Sequence, residues 1–204
     1  SGISVTQISA GPSFTGALLS NGSVECWGYN GVGQLGDGST TDSLTPVSVS
    51  GISSATQISA GSSHACALLS DGSIKCWGAG SDGQLGDNSW SDSSTPVSVM
   101  GISSAIQVSA GANHTCAVLS DGSAECWGRN SYGRLGDGST TNSARPVSVL
   151  NLSNVTHISA GGHHTCAVLS DGSAKCWGQN SGGPDGVLGD GTTDHSSTPV
   201  TVSG

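Results

Sequence analysis

Short runs of alternating apolar and polar residues, each bounded by glycine and serine, recur along the whole chain. In the second quarter they are TQISAG from Thr56, HACALLS from His64, SIKCWG from Ser73 and TPVSV from Thr95. Alternation over four to eight residues is typical of half-buried β-strands, whereas a long amphipathic helix would show a 3.6-residue spacing. The pattern therefore predicts four short strands, joined by turns, in each recurring unit.

The unit recurs every fifty residues, as the spacing of the Trp-Gly pairs at Trp27, Trp77, Trp127 and Trp177 shows. We divide the chain into four repeats that form a single array: 1–50, 51–100, 101–150 and 151–204. Four strands in about fifty residues match the period of a propeller blade. The sequence predicts an all-β, propeller-type array of four four-stranded antiparallel blades, whose ring closes either within one chain or between chains.

The turn in LLSDGS brings two cysteines opposite each other. A three-residue loop, Ser70-Asp71-Gly72, with its glycine in the left-handed conformation, closes a hairpin with a bulge. Counting back along the two strands makes Cys66 and Cys76 direct cross-strand neighbours. Their separation suits a disulfide, and disulfides persist outside the cytosol. We expect an extracellular or cell-surface protein with three bridges: Cys66–Cys76, Cys116–Cys126 and Cys166–Cys176.

The first repeat departs from this pattern, because Cys26 faces Gly16 where the other repeats have a second cysteine. Cys26 is then an unpaired thiol, either a small buried apolar residue, which we favour, or the donor of an intermolecular bond. Zinc is an alternative to disulfides, since His64, His114 and His164 each precede a first cysteine by two residues. The hairpin already accounts for the cysteine pairs, so we predict no metal and no cofactor.

Composition excludes one class of partner. The chain has 14 acidic residues against 5 lysines and arginines and a net charge of -9. Nucleic-acid binding depends on clustered cations that neutralise phosphates, so we expect no nucleic-acid partner. The sequence also lacks a run of roughly 18 apolar residues, so we expect no membrane span.

The longest block that recurs within the chain resembles a known repeat. AGSSHACALLSDGSIKCWGAGSDGQLGD from Ala60, with its counterparts from Ala110 and Ala160, is similar to the repeat of the regulator of chromosome condensation family, in a cysteine-containing form. The resemblance covers all four units. It implies four-stranded blades around a central axis, usually seven, and members that act as protein-interaction platforms. The guanine-nucleotide exchange and nucleosome roles of the namesake are not expected, because this chain is acidic and has no basic arm.

Candidate site residues fall into two groups. The tryptophans of the Trp-Gly pairs are predicted to pack between blades, because every repeat keeps them. His64, His114 and His164 are predicted to be hydrogen-bonding residues of the blades rather than bases, because no nucleophile with an acid partner accompanies them. Differences between the repeats are concentrated in the segments after Trp-Gly and after Leu-Gly-Asp, which we assign to loops. The candidate contact residues in these loops are Tyr29, Trp90, Arg129, Tyr132 and Arg134.

These observations favour a non-enzymatic secreted β-propeller module that binds another protein or a surface glycan through its variable loops. The alternative is a structural, self-assembling extracellular protein. In that case copies of the chain form a ring or filament, joined through a repeat split between SGISVTQISAG at one terminus and TPVTVSG at the other.

Overall fold

The computed structural model describes residues 4–181 and 186–203. Their strands fall into four groups of four, which we call blades 1 to 4. Blade 1 contains β1 (Val5–Ala10), β2 (Phe14–Leu19), β3 (Val24–Gly28) and β4 (Ser43–Ser48). Blade 2 contains β5 (Ala55–Ala60), β6 (His64–Leu69), β7 (Ile74–Gly78) and β8 (Ser93–Ser98). Blade 3 contains β9 (Ala105–Ala110), β10 (His114–Leu119), β11 (Ala124–Gly128) and β12 (Ser143–Ser148), and blade 4 contains β13 (Val155–Ala160), β14 (His164–Leu169), β15 (Ala174–Gly178) and β16 (Ser196–Thr201).

Each blade is a separate antiparallel sheet whose strands follow one another in chain order. The first strands of successive blades contact one another, so β1, β5, β9 and β13 line the inside of the array. The fourth strand is the edge of each sheet and carries a proline, which cannot donate a backbone hydrogen bond to a further strand. The fold is the predicted all-β, propeller-type array of four blades.

The hairpin between the second and third strands has the predicted register. In blade 2, Leu69 N–H donates to the Ser73 carbonyl, and Gly72 has a positive φ of 80°. The Asp71 carboxylate accepts hydrogen bonds from the backbone and side chain of Ser73, which fixes the turn. Cys66 lies directly opposite Cys76, with their Cα atoms 4.0 Å apart. The three predicted disulfides, Cys66–Cys76, Cys116–Cys126 and Cys166–Cys176, are confirmed.

The hydrophobic core lies between the blades rather than within them. Each of three buried clusters combines one face of a blade with the facing side of the next blade. Between blades 1 and 2, for example, Leu35 and Val24 pack with Ile58 and Trp77. A single four-stranded sheet cannot bury both of its apolar faces alone, so each blade depends on its neighbours.

The C-terminal segment TPVTVSG is not an unpaired half of a repeat. Strand β16, which contains TPVT, pairs with β15 and completes blade 4. Blade 1 is likewise complete, with β1 paired to β2. The predicted repeat split between the two termini is therefore absent from the described residues, where each of the two terminal blades has its own four strands.

Cys26 is fully buried beside Gly16. Burial raises the pKa of its thiol to about 12, with a smaller contribution from the Asp37 carboxylate, so the sulfur remains protonated and unreactive. In this buried position the sulfur is not accessible to a cysteine of another chain. A Cβ atom at Gly16 would lie 3.2 Å from Ile58 Cγ1 and 3.4 Å from Cys26 Sγ.

Replacing Gly16 with cysteine is expected to create a fourth disulfide. The pair Cys116 and Ile158 already shares one cluster between blades 3 and 4, so a cysteine can pack against isoleucine at this position. We expect G16C to raise the free energy of unfolding by about 2 kcal/mol in the absence of reductant. Thiol labelling of the denatured, unreduced protein should then detect no free cysteine. G16A is the matched control, because it adds the same Cβ without sulfur; persistent labelling of Cys26 in G16C would contradict the prediction.

Candidate functional site

The long loop between the third and fourth strands is the most variable part of each blade. All four of these loops leave the same end of their sheets, so they lie on one rim of the array, which we call the loop rim. In blade 1 the loop is built around Asn30, which is fully buried. Its side-chain amide donates to the Ser39 and Thr41 carbonyls, and its Oδ1 accepts from Leu35 N–H at 2.9 Å. Asn130 and Asn180 hold the loops of blades 3 and 4 in the same way.

Blade 2 has Gly80 in place of this asparagine. A Cβ atom there would overlap the Ser91 carbonyl, so the second half of the loop occupies the space that the asparagine side chain fills elsewhere. The loop keeps one contact of the other blades: Asp92 Oδ1 accepts from Gly80 N–H at 2.8 Å, as Asp42 Oδ1 accepts from Asn30 N–H in blade 1. Trp90 lies in this rearranged segment and is 52% exposed. A large aromatic side chain on a hydrogen-bonded loop is a contact residue of low conformational entropy.

Two further aromatic side chains are exposed on the loop rim. Tyr29 is 50% exposed at the start of the blade 1 loop. Tyr132 is 43% exposed, has a positive φ of 66°, and packs edge to face on His195 of blade 4 with ring centroids 4.7 Å apart. Arg129 is also exposed, and its Nε donates to Ser131 Oγ at 3.1 Å. Four of the five candidate contact residues are thus accessible.

Arg134, the fifth candidate, is not a surface residue, and the prediction that it contacts a partner is wrong. It is 1% exposed. Its Nε donates to the Ser131 carbonyl, and its Nη1 donates at 2.9 Å to the carbonyl of Gly162 in blade 4. Sequence alone could not separate this arginine from Arg129, because both lie in the same variable segment. Arg134 fastens blade 3 to blade 4.

The tryptophans of the Trp-Gly pairs make the same contact at each boundary between blades. Trp77 Nε1–H donates to the Gln34 carbonyl of blade 1 at 3.0 Å, and Trp127 Nε1–H donates to the Gln84 carbonyl of blade 2 at 2.9 Å. Trp177 repeats this contact with the Arg134 carbonyl. All three rings are fully buried, whereas Trp27, on the outer side of blade 1, is only partly buried.

The histidines belong to the same boundaries. His64 Nε2 lies 2.9 Å from Thr115 Oγ1, and Thr115 Oγ1 donates to the Gln84 carbonyl that also accepts from Trp127. Because the threonine hydrogen is used in that bond, His64 Nε2 must carry a hydrogen and donate. His114 and Thr165 form the equivalent pair against the Arg134 carbonyl. Burial lowers the pKa of His64 to about 4, and burial with nearby Arg134 keeps the pKa of His114 well below its usual value.

At the boundary between blades 1 and 2, apolar residues stand at both the histidine position and the threonine position. Phe14 takes the position of the histidine, and Ala65 takes the position of the threonine. Both are buried in the cluster between blades 1 and 2. Exchanging both members of a buried hydrogen-bonded pair for apolar groups leaves no unsatisfied atom, so the change costs little. The loss of the first histidine is therefore explained by Ala65 of the next blade.

The zinc alternative does not hold. The candidate cysteine ligands are joined to each other in disulfides, and His64 Nε2 is bonded to a threonine hydroxyl. In the described part of the chain no group of three or more histidine, cysteine or acidic side chains is placed to hold a metal ion. The aspartates of the Leu-Gly-Asp motifs cap turns, as Asp37 does by accepting from Ser39 N–H and Oγ.

Sequence reasoning missed the asparagines that build the loops. A signal was present, since YN, RN and QN follow Trp-Gly in three of the four repeats. The variability of the surrounding residues hides it. The threonines Thr115 and Thr165 were also missed, because their partners lie 51 residues earlier in the chain and in another blade.

Comparison with known families agrees with this architecture. The profile of the regulator of chromosome condensation (RCC1) repeat matches residues 21–68, 71–118 and 121–168, and a second profile of the same repeat matches 5–34, 55–84, 105–134 and 155–183. Because each profile covers more than half of the chain, this protein belongs to the RCC1 repeat family. Each 48-residue match begins in one blade and ends in the next, so it contains a boundary between blades.

Solved structures show the same fold. Prp20p from Saccharomyces cerevisiae, in a structure concerned with its binding to Gsp1p and histones, matches with 22% identity and a TM-score of 0.87, over 100% of this chain and 51% of that one. Human WBSCR16 matches with 24% identity and a TM-score of 0.86, over 98% and 53%. The ectodomain of the Arabidopsis thaliana receptor kinase ACR4 matches with 22% identity and a TM-score of 0.53, over 98% and 65%. The chain spans about half the length of the first two.

The buried histidines should make the array sensitive to acid. In the folded state His64 stays neutral down to about pH 4, whereas in the unfolded state it takes up a proton below about pH 6.5. The unfolded state therefore binds more protons between these values. The contribution of neutral His64 to the free energy of unfolding is complete above pH 6.5. It decreases as the pH falls from 6.5 towards 4, by about 3 kcal/mol in total. Urea unfolding between pH 7 and pH 4, without reductant, measures this loss.

The matched control is the double variant H64F/T115A, which copies the Phe14–Ala65 pair of the first boundary. It should fold, and the pH dependence of its free energy of unfolding should be smaller than that of the original chain. An unchanged pH dependence in this variant would show that His64 is not responsible.

Proposed function

We propose that this chain is a non-enzymatic module that binds another protein, or a glycan on a surface, through its loop rim. The observation that carries the proposal is the exposure of Tyr29, Trp90 and Tyr132, each about half accessible, on loops that buried hydrogen bonds hold in place. Rigid, exposed aromatic side chains give large contact area at low entropic cost. They also stack against sugar rings, so a glycan is included as a ligand class.

The setting we propose is extracellular or on a cell surface. Three disulfides support it, because such bonds persist in oxidising compartments. The net charge of -9 favours a partner other than nucleic acid. No helix in the described ranges has the length and apolar character needed to cross a membrane. Protein binding is also a property of the similar protein Prp20p, which binds Gsp1p and histones.

Self-assembly is the second function that an observation favours. The faces at the two ends of the array expose apolar side chains whose counterparts are buried between the other blades; Ile8 is 61% exposed, whereas Ile58 and Ile158 are 1% exposed. Exposed apolar patches of this kind mark interaction surfaces. Further blades, of the same polypeptide or of a second copy, would cover these faces; in the second case the copies would form a ring or a filament.

Binding through the loop rim is tested by W90S. A central aromatic contact typically contributes enough that its loss weakens binding at least about tenfold. We expect W90S to reduce capture of extracellular proteins, or of glycans on an array, by the immobilised chain by that factor. M100S is the matched control, because Met100 is 46% exposed and follows the fourth strand, at the opposite end of its blade. Equal capture by the original chain, W90S and M100S would contradict the proposal.

A further inference from the structure

The few positive charges of this chain are concentrated in one loop. The chain has five lysines and arginines against 14 acidic residues. Arg129 and Arg134 lie in the long loop of blade 3, whereas the other three lie on strands: Arg145 on β12, Lys75 on β7 and Lys175 on β15. The loop of blade 3 is therefore the only long loop of the rim that contains an arginine or lysine.

The two guanidinium groups of this loop lie close together, because both bind Ser131. Arg129 Nε donates to Ser131 Oγ, and Arg134 Nε donates to the Ser131 carbonyl, each at 3.1 Å. Arg134 Nη1 also donates to the Gly162 carbonyl of blade 4 at 2.9 Å. All of these acceptors are uncharged, and within residues 4–181 and 186–203 neither guanidinium is hydrogen-bonded to a carboxylate. One positive charge is exposed and the other is buried directly behind it.

The charge of Arg134 influences the groups around it. Burial and the charge of Arg129 lower the pKa of Arg134, while the Asp82 carboxylate of blade 2 acts in the opposite sense. That carboxylate is itself bound to Asn113 Nδ2 at 3.1 Å. In blade 4, slight burial and the charges of Arg134 and Arg129 lower the pKa of His163. A buried charge without a bonded counter-ion is costly, so this place favours the approach of an anion.

The fold does not require an arginine at position 134. Blades 1 and 2 have glutamine there: Gln34 Oε1 accepts from Val32 N–H at 3.1 Å, and Gln84 Oε1 accepts from Asp82 N–H at 2.9 Å. An arginine side chain has no acceptor atom, so blade 3 cannot form the corresponding bond. Since a neutral glutamine satisfies the loop backbone in two blades, the buried charge in blade 3 points to a role in binding.

The backbone of the same loop is strained at Tyr132. This residue has φ 66° and ψ 11°, in the left-handed region, whereas the corresponding Val32 and Asp82 do not have a positive φ. The ring of Tyr132 packs on His195 and remains 43% exposed. Strain of this kind in a bulky residue is concentrated at functional sites. It places an exposed aromatic side chain in the same turn as the two guanidinium groups.

The chemistry of the loop selects one class of ligand. A guanidinium is a planar fork that matches a carboxylate, sulfate or phosphate group. A polyanion would also meet the acidic residues of a chain whose net charge is -9, so a single anionic group is favoured. Exposed arginine and tyrosine are enriched among the residues that dominate protein–protein interfaces. Together these points favour an acidic side chain of a protein.

We propose that the loop of blade 3 binds an aspartate or glutamate side chain of a partner protein. Arg129 forms the ion pair with that carboxylate, and Tyr132 packs against the partner beside it. Arg134 remains buried and strengthens the pair through its charge, without touching the partner. The inference rests on the proposed binding through the loop rim and names the chemistry that blade 3 recognises, apart from Trp90 in blade 2.

The test uses random 12-residue peptides displayed on phage. Peptides are selected on the immobilised 204-residue chain after removal of those that also bind R129A, which copies Ala79 of blade 2. We expect every selected peptide to contain an aspartate or glutamate. Replacing that residue with its amide should weaken binding to the original chain at least about tenfold, and should have little effect on the residual binding to R129A.

The role of Arg134 is tested with R134Q, which copies Gln84. We expect R134Q to weaken binding of the selected acidic peptides roughly threefold at low ionic strength, and less at high ionic strength, because the charge acts through space. A loss that does not depend on ionic strength would overturn this role. R134Q should unfold at a urea concentration equal to or above that of the original chain; a clearly lower value would show that the fold needs the guanidinium.

Two variants control for the net charge and for a carboxylate within the chain. R145T removes a positive charge from the same blade and copies Thr95 on the equivalent strand, so it should bind the acidic peptides like the original chain. Asp185 lies outside the described residues, and D185N should also bind like the original chain. Tighter binding by D185N would show that the chain supplies its own carboxylate, and would overturn the proposal.

The remaining outcomes separate this inference from binding through the loop rim as such. Selected peptides without an essential acidic residue, or no peptide that depends on Arg129, would overturn the carboxylate site. Binding that depends on Arg129 and is confined to sialylated or sulfated glycans on an array would overturn the protein partner. If any of these results occurs while W90S still reduces capture, the proposed rim binding stands and only the site in blade 3 is wrong.

Discussion

The structure depends on one main-chain carbonyl at each boundary between blades. The Gln84 carbonyl accepts from Trp127 of the next blade and from Thr115, which in turn accepts from His64. Around this point the apolar faces of two sheets bury each other. No blade encloses a core of its own within the described residues, so stability is a property of neighbouring blades, as in other repeat proteins. The family's 48-residue repeat contains such a boundary.

Two kinds of side-chain pair occur at the boundaries between blades. His64 with Thr115 and His114 with Thr165 are polar pairs, whereas Phe14 with Ala65 is apolar. Changing both partners together avoids a buried unsatisfied group. This explains why the first repeat departs from the others at residues that look unrelated along the chain. It also gives each face a preference for a partner face of the same kind.

The residues of the loops vary from blade to blade, whereas the strands that carry the loops are repeated. Asn30, Asn130 and Asn180 satisfy the backbone of their loops from inside. In blade 2 the backbone at Ser91 occupies that space beside Gly80. Side chains that point outward, such as Trp90 and Tyr29, take no part in these hydrogen bonds. A surface of this kind can change its partner without changing the fold.

The sequence by itself determined the strands, the four-blade organisation and the three disulfides. Each follows from local rules: alternation defines strands, and the Ser70-Asp71-Gly72 turn sets the register that aligns Cys66 with Cys76. Only the tertiary structure decided which residues meet across the boundaries. In the tertiary structure Arg134 is buried against Gly162, Arg129 is exposed, and His64 is hydrogen-bonded to Thr115. The two contacts link positions about 30 to 50 residues apart, which no local sequence pattern relates.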